Sequence, residues 1–174
     1  MNSNQQLSPF FKILNQTSIP ENNIRWRISD GDSNFFKECL SKLLEYNVKS
    51  ILDISCGKGE FVNLALDQNI EAYGIDPLLN DHPNIHLGSF DSIIKNQNYL
   101  NNFKFDCITI HNTLHGKYHQ DEELKSLLSF IKVFSKYFVI SSPINLSLIK
   151  DFKCIHEFNP SHGNKSVHHK LYVS

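Results

Sequence analysis

Long apolar runs, a basic excess and paired cysteines are all missing from this chain, and each absence closes a class of function. No stretch approaches the roughly 20 apolar residues of a membrane-spanning helix. The opening MNSNQQLSPF carries neither the basic nor the apolar region of a secretory leader. A soluble, unprocessed, cytoplasmic protein is expected. Seventeen basic residues against 18 acidic ones leave a formal charge of -1, so no overall positive field drives binding to a phosphate backbone. Cys39, Cys56, Cys107 and Cys154 are scattered and form no CxxC pair, which reads as reduced thiols in apolar surroundings. What is present is apolar material enough for one core, with 40% hydrophobic residues, 13 of them Phe, in a 174-residue chain.

Periodicity sets the order of elements. Residues 32–47 have Asp and Ser as caps and apolar residues at helical spacing, Phe35, Phe36, Cys39, Leu40, Leu43 and Leu44. Strands are expected at 49–55, 71–76, 84–90, 105–110 and 136–142, and helices at 60–69, 91–103 and 121–135. Such alternation implies a parallel sheet covered on both faces. The tail differs, with a short helix at most over 143–151 and two strands, 152–158 and 168–174, joined by NPSHGNKS. An antiparallel hairpin should therefore close the sheet. Two parts follow: an N-terminal cap segment, 1–31, and an α/β Rossmann-like domain, 32–174, a three-layer sandwich with a mostly parallel seven-stranded sheet.

In an open α/β sheet, ligands bind beyond the C-terminal ends of the strands, which is where LDISCGKGEF, 52–61, falls. Gly57 and Gly59 allow a sharp turn and a close approach of backbone to ligand. A nucleotide P-loop needs GxxxxGK[ST], and no such run exists here. A dinucleotide fingerprint counted from Gly57 needs a third glycine where Val62 stands. The stretch instead resembles the first motif of the class I S-adenosylmethionine-dependent methyltransferases, hydrophobic-Asp-x-Gly-x-Gly-x-Gly. YGIDP resembles their second motif, NIHLGSFDSI a loose third and FDCITIHNTLH the fourth, over residues 50–142. Ser55 departs from the pattern, standing where the family has its first glycine.

The resemblance implies the cofactor S-adenosyl-L-methionine, with S-adenosyl-L-homocysteine as product. It places Asp53, Ser55, Cys56, Gly57 and Gly59 around the methionine portion and ribose, and makes Asp76 the acceptor for the ribose hydroxyls. A carboxylate suits that task because it accepts two hydroxyl protons bidentately. The adenine would lie near Pro77, Leu78, Ser89 and Phe90, with either Ser89 or Asp91 meeting its amino group. His111 and Asn112, just past the fourth strand, would flank the methionine end and the substrate.

Imidazole titrates near neutrality, so His111 and His115 are candidate bases toward the acceptor. With His119 they have a helical spacing, but Gly116 and the strand end at Ile110 break any continuous helix, and no metal is expected. The tail histidines His156, His162, His168 and His169 read mostly as surface residues, with one of His162 or His168 left as a residue that could face the substrate. His168 and His169 are neighbours in a strand and point to opposite faces. Arg25, Trp26 and Arg27 could clamp the cofactor carboxylate or an anionic substrate, or could simply pack and snorkel.

Methyl transfer from a sulfonium requires mainly positioning and exclusion of water. The chain has HNTL where base-amino methyltransferases carry [Asn/Asp]-Pro-Pro-aromatic, and it lacks the Pro-Cys of cytosine C5 enzymes. A small-molecule, sugar or lipid-linked (carrier-linked) hydroxyl acceptor is therefore the first reading. The alternatives are a cofactor-binding pseudoenzyme or regulatory subunit of a partner enzyme, an RNA or modified-nucleotide methyltransferase, and, more distantly, a nicotinamide-dependent oxidoreductase. With no substrate-binding insertion after the fifth strand, residues 1–31 or a second subunit, as in a homodimer, would supply the pocket wall.

Overall fold

Two successive helices end in the same way, and this repeated stop hands the chain to the first two strands. The computed structural model describes residues 33–77, 81–89, 93, 104–111, 121–142, 149–158 and 168–174. Helix α1, Ser33–Glu45, buries Phe35, Phe36, Cys39, Leu40 and Leu43, the three- and four-residue spacing of one helical face. Its last carbonyls are taken up by a Schellman-type pair of bonds, Val48 N–H to Leu43 O at 3.1 Å and Asn47 N–H to Leu44 O at 2.9 Å. Asn47 turns left-handed with φ of 58°, and Val48 is buried as the apolar residue that follows. Helix α2, Glu60–Asp67, repeats the arrangement with Ile70 bonded to Ala65 O and Asn69 at φ 58°. These stops aim strand β1, Ser50–Ile54, and strand β2, Glu71–Asp76, side by side.

Five further strands complete the sheet: β3 (Ile85–Leu87), β4 (Phe105–His111), β5 (Ser135–Ser142), β6 (Lys153–Glu157) and β7 (His168–Val173). Their order is β3-β2-β1-β4-β5-β7-β6, with β1 to β5 parallel and β7 antiparallel to both of its neighbours. The expected antiparallel hairpin is present, with its second strand inserted between β5 and the edge strand β6. Helix α3, Asp121–Phe134, runs directly into β5 with no linker. The two strand faces divide the core. Leu52, Ile54, Ile108, Ile110, Phe138, Ile140 and Tyr172 pack with Leu127, Leu128 and Ile131 of α3. Ile51, Cys107, Val139 and Leu171 point the other way, against α1 and α2. Burying each such side chain stabilises the fold by about 1.5–3 kcal/mol, so both faces must be covered.

Several expectations shift at this level. Strand β3 stops at Leu87, leaving Gly88 and Ser89 outside it, and β4 runs one residue further than expected, so His111 is its last residue. Cys39 and Cys107 are buried and Cys56 is half-buried, but Cys154 is exposed rather than in apolar surroundings; all four are free thiols. Ile93, the one described residue of the helix expected over 91–103, lies in the core. The cap segment 1–31 and the residues Arg25, Trp26, Arg27, Leu78, Phe90, Asp91, Asn112, His115, His119 and His162 lie outside the described residues.

Candidate functional site

The parallel order reverses direction between β1 and β4, and the loop after β1 sits at that switch point. Three of its residues are left-handed: Ser55 at φ 61°, Gly57 at 57° and Gly59 at 83°. The loop is tied to β2 by main-chain bonds from Ser55 N–H and Cys56 N–H to Ile75 O, at 2.7 and 3.2 Å. Asp76, the last residue of β2 and 5% exposed, accepts a 2.7 Å bond from the Gly57 N–H. The two motifs found separately in the sequence are thus one construction, with the carboxylate of the second holding the glycine loop of the first.

Close packing explains which glycines are needed. A Cβ on Gly59 would stand 2.2 Å from Ile85 Cδ1, and a Cβ on Gly74 would stand 2.5 Å from Cys56 Sγ. Gly57 differs, because among the described residues a Cβ there would meet nothing within 4 Å. Burial pushes the Cys56 thiol well up, with Asp53 and Asp76 adding to the effect, so this sulfur is a packing group rather than a nucleophile. Pro77 and Ser89 lie half-buried at the β2 end of the site, and Gly88 N–H bonds Asp76 O at 2.9 Å.

On the β4 side the strand ends carry polar groups inside the apolar layer beneath α1. Asp53 is 1% exposed and accepts a 2.8 Å bond from Thr109 Oγ1, its register partner on β4. Burial raises the Asp53 carboxyl to about 8, the Thr109 hydroxyl pulls the other way and Asp76 adds to the rise. His111 Nε2 stands 4.0 Å from Asp53 Oδ1. Its ring is 8% exposed and meets Phe35, Phe36 and Phe61 at centroid distances of 5.4, 5.0 and 4.6 Å. Burial, and then His169, lower its pKa to about 3, so the ring is neutral. Both partners shift toward their uncharged forms, as expected where water is excluded.

His111 pairs in register with Ser141 of β5, which pairs with His169 of β7, so all three share one face. Ser141 Oγ and His169 Nδ1 are 2.5 Å apart. His169 is 5% exposed and lies 4.2 Å from the Phe35 ring, so this one of the tail histidines is a core residue and not a surface one. The antiparallel placement of β7 beside β5 brings it inside, a fact of strand order that local sequence does not carry. Thr109, Ser141 and His169 were thus missed as members of the site. Thr109 alone had a local signal, a polar residue alternating with apolar ones in FDCITIH. The structure brings together Asp53, Ser55, Cys56, Gly57, Gly59, Asp76 and His111 around the ends of β1, β2 and β4.

Comparison with known proteins agrees with this geometry. Residues 32–170 match the family model described as "Methyltransferase domain". The chain belongs to that family, and its fold is that of the class I S-adenosylmethionine-dependent methyltransferases. Among curated proteins no sequence match is found. Similar solved structures include the bifunctional kinase-methyltransferase WbdD, at 16% identity over 84% of this chain and 40% of that one, with a TM-score of 0.61. Magnesium protoporphyrin IX methyltransferase from Synechocystis PCC 6803, solved with bound SAM, covers 95% of this chain and 90% of its own at 12% identity and TM-score 0.59. The 1,6-didemethyltoxoflavin-N1-methyltransferase of Burkholderia thailandensis, solved with S-adenosylhomocysteine, covers 81% and 77% at 12% identity and TM-score 0.60. At these identities the likeness is one of fold. The chain spans about 40% of the length of the WbdD chains.

Proposed function

We propose that this protein transfers a methyl group from S-adenosylmethionine to a hydroxyl of a small-molecule, sugar or lipid-linked acceptor. The observation that carries the cofactor half is the Gly57–Asp76 bond at the switch point, with the buried carboxyl of Asp53 at the end of β1. These residues fit the group: Asp76 is a carboxylate for a ribose diol, and Asp53, kept a neutral acid by burial, can ionise against a cationic amino-acid end. The bound cofactor supplies an activated methyl on a sulfonium. The protein residues then bind, orient and keep water out.

The acceptor half rests on the chemistry of the β4 end. His111, Ser141 and His169 are polar and within an apolar layer, and His111 is held neutral. Such a surface favours an uncharged hydroxyl over a phosphate-bearing polymer. A ring with a pKa near 3 does not store a proton at neutral pH, so His111 is the hydrogen-bond acceptor that orients the hydroxyl rather than a strong base. Phe35 and Phe36, in the first turn of α1, pack against its ring. His115, Asn112 and the Arg25, Trp26, Arg27 group belong to this proposal on sequence grounds. The acceptors printed for the similar structures, a porphyrin and a toxoflavin precursor, differ from each other, so fold does not choose the acceptor.

A second reading, a cofactor-binding subunit that activates a partner, is favoured by the Phe rings packed over His111. Calorimetric titration with S-adenosylhomocysteine, alongside Asp76→Ala and an NADH control, tests the cofactor half. Micromolar binding that vanishes in the variant is expected; NADH binding, or none by the intact chain, refutes it. Turnover of hydroxyl acceptors by the isolated chain separates the enzyme from the subunit.

A further inference from the structure

Helices α1 and α2 cover the same face of the sheet, and a groove of about 340 Å³ runs between their outer sides. Lys37, Leu40 and Leu44 of α1 and Leu64 and Asp67 of α2 line it, at the three- and four-residue spacing of one helical stripe. Leu40 is buried and Leu64 half-buried. Leu44, whose spacing in the sequence puts it with the buried face, is instead 38% exposed.

The charges in the groove stand at opposite ends. Helix α1 leads into β1 and α2 leaves it, so both run against that strand and parallel to each other. The Phe36 and Phe61 rings, 5.2 Å apart, set the two helices level near their starts. Lys37, early in α1, therefore lies at one end of the groove, and Asp67, the last residue of α2, at the other. Leu40 and Leu64 stand between them. Lys42 of the same helix is held by Glu45 at 2.6 Å, but Lys37 and Asp67 enter no ion pair among the described residues. An isologous contact requires a patch that complements itself, because the same surface meets its own copy. A two-fold axis through the middle of this groove turns the second copy end for end. Lys37 of each copy then meets Asp67 of the other, with the leucines packed between. We propose that a second copy of this chain docks groove to groove on this face as a two-fold homodimer. The contact braces α1, whose first turn sets Phe35 and Phe36 against His111, so assembly and site share one helix.

Sedimentation of the full chain from about 1 to 100 μM tests the proposal. A reversible dimer is expected, with a melting temperature that rises with concentration. Leu44→Glu should weaken it by about tenfold or more, since it sets a charge in the apolar part of the contact. Lys37→Asp makes both ends acidic and Asp67→Lys makes both basic. Each variant alone should be monomeric where the wild type is dimeric, and an equal mixture of the two should form a heterodimer, because each supplies the sign that the other lacks. A merely structural role for either residue would not produce that rescue. Melting curves at the lowest concentration should match wild type, which separates lost docking from lost folding at these exposed positions. Wild-type protein that stays monomeric throughout overturns the proposal and gives the groove to another partner or to another part of this chain. A dimer that survives all three substitutions overturns it as well, since the contact then lies elsewhere, and so does a mixture that fails to pair.

Discussion

The two sides of the site are built on opposite principles. Toward β2 the loop is fixed by hydrogen bonds and close contacts, Gly57 on Asp76, Ser55 and Cys56 on Ile75, and Gly59 against Ile85. Toward β4 the groups Asp53, Thr109, His111, Ser141 and His169 are buried in an almost dry layer, with Phe35, Phe36 and Phe61 around the His111 ring. The first side gains precision from geometry. The second holds Asp53 and His111 uncharged by burial, at a cost in stability. A ligand with a charged end would meet the rigid side as a template and the buried side as an environment that its charge completes.

The largest effect should come from removing the link between the motifs. Asp76→Ala takes away both the Gly57 acceptor and the carboxylate, and should weaken S-adenosylhomocysteine by about 100-fold or more in calorimetry. Asp76→Asn, which keeps an acceptor for Gly57 but not the charge, should fall between. If it matches Ala, the charge matters and the loop geometry does not.

Gly59→Ala comes next. The φ of 83° and the 2.2 Å approach to Ile85 Cδ1 act together, and chemical denaturation should show a loss of ~2–3 kcal/mol. Adding Ile85→Ala relieves the overlap but not the backbone strain. A double variant no more stable than Gly59→Ala once the Ile85→Ala loss is subtracted would show that strain alone is at work.

The buried side is separated from the rigid side by pH. Asp53 is raised from an ordinary 3.8 to about 8 in the folded chain, so its proton-linked stability is complete below about pH 4 and is lost as pH rises toward 8. His111 is lowered from 6.5 to about 3, so its contribution is complete above pH 6.5 and is lost as pH falls toward 3. Asp53→Asn should flatten the alkaline limb of the stability profile and stabilise the chain by ~1–3 kcal/mol at pH 7.5, while weakening the cofactor product. His111→Phe should flatten the acidic limb. Denaturation midpoints measured from pH 4 to 8.5 check both, and a limb unchanged in its variant refutes the corresponding assignment.

The smallest effect belongs to Ser141→Ala, which removes the bond to His169 from a site already lined with aromatic rings. A loss of about 1 kcal/mol is expected in denaturation, with little change in S-adenosylhomocysteine affinity. A larger change in affinity than in stability would join Ser141 and His169 directly to the ligand side.

Local pattern carried the described elements of the fold because each has a period that its own residues display. Phe35 to Leu43 form a helical face, FDCITIH is a short apolar run buried on both faces, and Asn47 and Asn69 stand at the helix stops. It carried Asp53, Gly57, Gly59 and Asp76 as well, since these stand at strand ends where the loop chemistry is written in consecutive residues. It did not carry His169, whose burial depends on β7 pairing with β5, or Ser141, which is a ligand of that histidine only across 28 residues of chain. Nor could it show that His111 would be a neutral ring beneath Phe35 and Phe36, because the covering residues come from a helix some 75 positions earlier.

What the sequence determined alone is therefore the alternation of elements, the family and the positions of the loop and its two carboxylates, all of which depend on spacing within a few residues. Tertiary structure decided the protonation of Asp53 and His111, the grouping of His111, Ser141 and His169, and the join between Gly57 and Asp76. Those depend on which strands lie side by side and on how much water remains between them, and both follow from long-range packing.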